Sequence, residues 1–283
     1  MEKAIKRYSP VFVLPTLLAF MIGFIIPFIQ GLYLSFCQFT TVNNATFTGL
    51  SNYQSALADS SFLSSFKFTV MFAVASIVLI NVIAFALALL LTRQLKGTNV
   101  FRTIFFMPNL IGGIVLGYIW QILINCILSI VGQPLLALNS SAGYWGLIIL
   151  MCWQQIGYMM IIYIAGLQNV SDDLIEAAAI DGAGKWKQLI HVSIPGIAPV
   201  ISIQLLLTVG KLLTVGYEKI LLLYTGATYS TADVISTYVY RRGLMEANYS
   251  YGSAVSIFQA VMALILVVLA NKAARKVGQT SLW

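Results

Sequence analysis

Six long apolar runs separated by shorter polar stretches set the pattern of this chain: 11–37, 66–92, 101–126, 144–167, 199–224 and 251–270. Each matches the roughly 20 residues that a helix needs to cross the hydrocarbon of a bilayer. Lipid offers no partner to a free backbone N–H or C=O, so each run is predicted to be an α-helix. Pro108 falls inside the third run and predicts a kink there, with Asn109 beside the freed backbone groups. One polar stretch stands out from the other connections. From Ser171 to Gly196 the chain reads SDDLIEAAAIDGAGKWKQLIHVSIPG. Ser171 is placed to cap a helix whose positive end faces Asp172 and Asp173. Ala177, Ala178 and Ala179 favour helix, and Gly182 and Gly184 stop it. A second short helix is predicted from Lys185 to about Ser193, with Pro195 ending it and Pro199 opening the fifth span. The first helix of the pair is expected to show Leu174, Ile175 and Ala178 on one side and carboxylates on the other. A solvated connector would account for the charges. It would not account for an ordered, small-residue helix pair with apolar faces, so the pair is expected to dock on a partner.

Composition fixes the class. Of 283 residues, 59% are hydrophobic and 9% charged, with a mean hydropathy of +0.89. A soluble domain carries about 25% charged residues. The chain is therefore an all-α, polytopic membrane protein, read as a single transmembrane domain over 1–283, without a soluble domain, a low-complexity linker or a tandem repeat. The basic residues orient it. Lys3, Lys6 and Arg7 precede the first span, and Arg93, Lys96 and Arg102 follow the second. Lys185 and Lys187 sit in the polar loop, and Lys272, Arg275 and Lys276 follow the sixth span. Only Arg241 and Arg242 fall on the opposite side. This bias places both termini and the polar loop in the cytoplasm. It also accounts for the net charge of +7 without nucleic acid as a partner. The first run is too long for a cleavable signal, and no small-residue cleavage site follows it. Cys37, Cys126 and Cys152 lie scattered in apolar runs and read as small packing residues.

Candidate chemistry is sparse. Gly184-Lys185 and Gly210-Lys211 lack the GxxxxGK[ST] frame that cradles phosphates. No acidic or nucleophilic pair has a catalytic setting, so no catalytic residue, metal or cofactor is expected. Polar groups inside spans are costly and mark function. Trp153, Gln154, Gln155 and Tyr158 stand together in the fourth span. Gln204, Thr208, Lys211, Val215 and Glu218 follow a 4-3-4-3 spacing in the fifth, which makes one helix face. These are the rings, amides, hydroxyls and charges that hold sugars. Two structural readings stand beside that one: interhelical hydrogen bonding for the glutamines and Thr208, and an ion pair for Lys211 and Glu218.

Glu176-Ala177-Ala178, then Gly182, then Val192-x-Ile194-Pro195 resembles the EAA loop of ABC importer permeases, here 168–198, whose usual ending is Ile-x-Leu-Pro. The flanks are similar too: SPVFVLPTLLAFMIGFIIPFIQGLYLSF, FTGLSNYQSAL and FRTIFFMPNLIGGIVLGYIWQILIN resemble sugar-type permeases of the maltose and glycerol-phosphate class. The segments from DVISTYVYRRGL to KVGQTSLW look most like the subgroup linked to oligo- and polysaccharides. The resemblance implies a bacterial cell-membrane subunit paired with a second permease, two ATPase subunits and an extracytoplasmic solute-binding protein. It implies that Glu176, Ala177, Ala178, Asp181, Gly182 and Pro195 belong to the element that couples to the ATPase. It also implies sugar contacts near Gln154, Gln155 and Tyr158, and near Thr208, Lys211 and Leu212. Lys211 and Leu212 replace an aromatic and an amide of the family pattern. An ion-coupled secondary transporter or a structural membrane scaffold would leave the EAA helices unexplained. The former usually shows internal repeats, and the latter predicts no polar face along the fifth span.

Overall fold

The structure is a computed structural model that describes residues 11, 13–92, 96–138, 140–210 and 233–276. It is helical apart from one small hairpin, in which β1 (Cys37–Gln38) pairs antiparallel with β2 (Thr46–Phe47), Cys37 opposite Phe47 and Gln38 opposite Thr46. The helices are α1 (Val13–Leu34), α2 (Ser51–Ala58), α3 (Ser60–Thr92), α4 (Thr98–Phe106), α5 (Gly113–Ile130) and α6 (Ser140–Gln168). After them come α7 (Asp172–Ile180), α8 (Lys185–Gly210), α9 (Ile235–Val239) and α10 (Tyr249–Lys276). Among the described residues, α1, α3, α5, α6, α8 and α10 are long and apolar enough to cross a membrane. The expected spans at 11–37, 66–92, 144–167 and 251–270 fall on α1, α3, α6 and α10, with ends shifted by a few residues.

Two expectations are corrected. The third run, 101–126, is not one kinked helix. It is α4, a 3₁₀ turn at Met107–Leu110, and then α5, because Ile111 adopts an extended conformation with ψ 129°. Pro108 cannot supply the N–H that would carry the helix through, and Gly112 and Gly113 follow within one turn. The second correction concerns Pro195, which does not end a helix. Lys185–Gln188 is α-helical, Leu189–Ser193 is a π turn, and Ile194–Gly210 continues as α-helix with Pro199 inside it. A π turn widens the helix just before the proline, where an α turn would bring the ring against a preceding carbonyl. The same device recurs in α1, where a π turn at Met21–Ile25 precedes Pro27. The fifth run was expected to reach residue 224. Its part beyond Gly210 lies outside the described residues.

The chain divides into two compact units, Met1–Phe62 with Tyr238–Ala260, and Leu63–Thr237 with Val261–Trp283. In the first, Asn52 ties the hairpin to α2 by donating to the Ser35 and Cys37 carbonyls, at 3.1 and 3.0 Å. Ser250 accepts from the Phe39 amide at 2.8 Å and donates back to its carbonyl at 3.1 Å. In the second, small residues of α3 (Ala84 and Ala88) and bulky ones of α6 (Leu147, Met160 and Tyr163) share one buried core. The small residues let helix backbones approach closely, as in membrane bundles generally. The closest approach is at Gly157 of α6, where α4 passes so near that a Cβ would lie 1.9 Å from the Phe105 carbonyl oxygen. Cys37 and Cys152 are buried, as packing residues would be, whereas Cys126 is exposed.

Candidate functional site

Helical spacing draws polar side chains of three spans to one cavity inside the second unit. Gln155 and Tyr158 of α6 are three residues apart, and Gln204 and Thr208 of α8 are four apart, so each pair shares a helix face. All four line a cavity of about 190 Å³, which α3 closes with Ser76, Asn81 and their apolar neighbours. Met151 and Met159 supply much of the apolar wall. Asn81 is held on both sides, its amide donating to the Ile77 carbonyl at 2.7 Å and its carbonyl oxygen accepting from Tyr163 OH. Thr208 donates to the Gln204 carbonyl at 2.7 Å, which leaves the lone pairs of its oxygen open toward a ligand.

Trp153 and Gln154 do not line this cavity, although they adjoin Gln155 in sequence. A turn of about 100° per residue points them elsewhere. Trp153 is half-exposed and packs against Trp120 of α5, with ring centroids 5.7 Å apart. Gln154 is buried and faces the break between α4 and α5. Its side-chain amide donates to the Ile111 carbonyl at 3.2 Å, and its main-chain carbonyl accepts from the Asn109 side-chain amide at 3.5 Å. Gln154 thus serves the Ile111 carbonyl at the break, beside which Asn109 was expected. Lys211, Leu212, Val215 and Glu218 lie outside the described residues.

The polar loop forms the expected first helix and glycine turn, but the expected second short helix is the start of α8 and runs on into the span. Ser171 stands at the N-cap of α7 with φ −62° and ψ 130°, and its side chain makes no capping bond. Asp172 and Asp173 occupy the first turn. Gly182 turns the chain between α7 and α8 with φ +78°, which an L side chain resists. Ala183 N–H closes the end of α7 on the Ala178 carbonyl at 2.9 Å. Glu176, Ala177 and Asp181 are exposed, whereas Ile175 and Ala178 turn inward. Leu174, expected on one apolar side with Ile175 and Ala178, is 58% exposed, as an apolar side left for a partner would be. Ile180 at 87% and Trp186 at 71% are more exposed still. Exposed apolar side chains thus stand among the charges of this loop. Pro195 is exposed at the start of the transmembrane part of α8.

One cluster in the first unit escaped the sequence reading. Asp59, just before α3, accepts from Tyr238 OH at 2.7 Å, Tyr251 OH at 3.3 Å and the Ser61 amide at 2.8 Å, and pairs with Arg242 at 3.4 Å. Arg242 also bridges to Glu246 at 2.7 Å. Partial burial pushes the Asp59 carboxyl upward, but the donors and the guanidinium outweigh it and hold it below the ordinary aspartate value. Burial raises the Tyr238 phenol, and the hydrogen bonds of Arg242 raise its own value. Asp59 and Arg242 are 183 residues apart in sequence, so nothing local signals the pairing.

Six apolar spans, a polar cavity between three of them and an amphipathic loop at the foot of α6 and α8 define a transmembrane permease subunit. Comparison with known proteins makes the class specific. Residues 91–279 match the family described as binding-protein-dependent transport system inner membrane component, and the chain belongs to that family. It is 37% identical over 272 residues to the probable starch degradation products transport system permease protein AmyD of Thermoanaerobacterium thermosulfurigenes, covering 92% of this chain and 93% of the relative. The arabinooligosaccharides transport system permease protein AraP of Bacillus subtilis is 28% identical over 279 residues, 94% of this chain and 88% of that protein. Among solved structures, a chain of a bacterial ABC transporter that imports the acidic polysaccharide alginate superposes with a TM-score of 0.86 at 30% identity, covering 97% of this chain and 98% of the other. The alginate transporter in complex with its alginate pentasaccharide-bound periplasmic protein gives a TM-score of 0.85 at 28% identity, with 100% and 99% covered. The chain is thus a multi-pass membrane permease subunit, and its family transports rather than catalyses.

Proposed function

We propose that this chain forms half of the pore of an ATP-driven sugar importer and couples to a separate ATPase through the loop at 168–198. The observation that carries the reading is the convergence of Gln155, Tyr158, Gln204 and Thr208 on one membrane-embedded cavity. Amides, hydroxyls and a ring hold sugars well, and in a water-poor span they are too costly to be incidental. By sequence spacing Lys211 and Glu218, and by the family resemblance Leu212, are further candidates for the path; all three lie outside the described residues. Relatives named for starch products, arabinooligosaccharides and alginate support a carbohydrate cargo.

The partners are those that the family implies. A second permease completes the pore, two ATPase subunits sit against the polar loop, and an extracytoplasmic binding protein delivers the sugar. Both termini and the loop face the cytoplasm, as the basic residues argue. Glu176, Ala177, Ala178, Asp181 and Gly182 belong to the element that meets the motor, Ala178 on its less exposed side, with exposed Ile180 and Trp186 as its apolar contacts. Pro195 joins that face to the span. Motion of the motor reaches the cavity along α8, the continuous helix from Lys185 to Thr208 and beyond.

The test is reconstitution of the complex in liposomes with its binding protein, followed by uptake of maltotriose, arabinotriose and an alginate trisaccharide. Uptake of at least one sugar that requires ATP inside the motor's compartment is expected. Uptake driven by an ion gradient without ATP would overturn the assignment, as would transport of none of the three.

A further inference from the structure

Thr69, Thr92, Thr208 and Ser256 all lie in helices, and each returns its hydroxyl to the carbonyl four residues earlier, at 2.6 to 2.8 Å. Helical hydroxyls with no other partner commonly do this. Ser76 departs from the pattern. It is 3% exposed, yet its Oγ has no hydrogen-bond partner among the described residues. Buried hydroxyls without partners are rare in native structures and call for an explanation. The position of Ser76 supplies one, because it lines the same cavity as Gln155, Tyr158, Gln204 and Thr208 from the opposite helix, α3.

We propose that Ser76 is a sugar-contacting, specificity-determining residue, the third wall of the cavity, whose partner is a ring hydroxyl of the passing substrate. This rests on the sugar-path reading above and names a residue that the reading did not contain. The chemistry matches on both sides. A serine hydroxyl donates one hydrogen bond and accepts others, and a sugar hydroxyl does the same. The volume matches as well. A space of about 190 Å³ holds roughly six waters at about 30 Å³ each, the scale of one sugar ring and not of a chain. Met151 and Met159 give the C–H faces of the ring an adaptable apolar surface. Asn81, five residues on, is already committed to Ile77 and Tyr163, so Ser76 is the polar cavity-lining group of α3 whose hydroxyl has no partner among the described residues.

The experiment uses the reconstituted complex and whichever of maltotriose, arabinotriose and the alginate trisaccharide it carries, together with a series of that sugar lacking one hydroxyl at a time. Ser76→Ala is expected to lower uptake of the complete sugar about two- to tenfold, the effect of one neutral hydrogen bond. For one deoxy sugar of the series the difference between the Ser76→Ala and unaltered complexes should disappear. Ser76→Thr, which keeps a hydroxyl, should restore discrimination against that same deoxy sugar. A packing role would depress every sugar of the series alike, and that result overturns the proposal, as does a Ser76→Ala complex that no longer assembles. If Ser76→Ala transports normally while Thr208→Leu does not, Ser76 leaves the path and the sugar cavity stands. If neither substitution changes uptake, the cavity itself is not the route.

Discussion

Gly157→Ala asks one methyl group to fit where two helices already touch. The new Cβ would lie 1.9 Å from the Phe105 carbonyl oxygen, 2.3 Å from its carbon and 2.7 Å from the Phe106 nitrogen. Ordinary contact begins near 3.4 Å, so the shortfall is about 1.5 Å. Every obstacle is backbone, and none can rotate aside. Either α4 and α6 separate, which opens the buried core on both sides, or α6 turns and carries the neighbouring Tyr158 with it. Overpacking of this kind costs about 1–3 kcal/mol, and a backbone obstacle puts it at the upper end. Alanine returns about 1 kcal/mol through its better helix propensity. The net loss is then about 2 kcal/mol, which lowers the melting temperature of a chain this size by about 4–8 °C. Thermal unfolding of the purified complex in detergent, followed by tryptophan fluorescence, reads the shift. Gly31→Ala in α1, where nothing lies within 4 Å of the added carbon, is the control and should melt at or slightly above the parent. A Gly157→Ala variant that melts with the control would refute the close approach and the helix packing built on it.

Other outcomes follow from the sites. Tyr158→Ala and Thr208→Leu should each reduce sugar uptake several-fold while the complex still assembles; normal kinetics in both would remove them from the path, and loss of assembly would make them interhelical glue. Gly182→Val should assemble poorly or uncouple, since valine cannot hold φ +78° without strain, and Glu176→Lys should weaken ATPase co-purification because it reverses an exposed charge; if both couple like the parent, the loop is only a connector. Asp59 is held below its ordinary value of 3.8, so its stabilisation is complete above that pH and is lost as the pH falls through the lower, folded value. Melting of Asp59→Asn should therefore show a weaker pH dependence below about pH 4 than the parent, and identical acid limbs would exclude the cluster. Cysteines placed at positions 185 and 272 should react with impermeant reagents from the cytoplasmic side only, and labelling from outside would invert the topology.

Hydrophobic period and length reveal a span wherever the span needs nothing else. That is why α1, α3, α6 and α10 stand close to their expected places. The failures share one cause, proline in a helix with a way round it. At Pro108 two glycines follow and the chain breaks, and the Gln154 side chain of α6 takes up the Ile111 carbonyl. At Pro195 a π turn precedes the ring and the helix runs on. A π turn has no residue signature of its own, since it differs from an α turn only in which carbonyl each N–H finds. No spacing argument separates the two outcomes.

The same limit decides how much of the site could be read. Residues i and i+3 or i+4 on one helix can be paired from sequence, and Gln155 with Tyr158 and Gln204 with Thr208 do meet at the cavity. Adjacent residues cannot all face one way, so Trp153 and Gln154 had to leave the group. Partners on different helices are set by packing alone, which hid Asp59 with Tyr238 and Arg242. Ser76 is the sharper case. Its sequence setting, VASIVL, gives a small polar residue in a run of apolar ones, indistinguishable from any serine that bonds its own helix. Only the three-dimensional structure separates it from Thr69 and Thr92, whose hydroxyls are spent on the backbone. Ser76 is buried beside the cavity with its hydroxyl unspent, and that is why the proposal falls on it and not on Thr69 or Thr92.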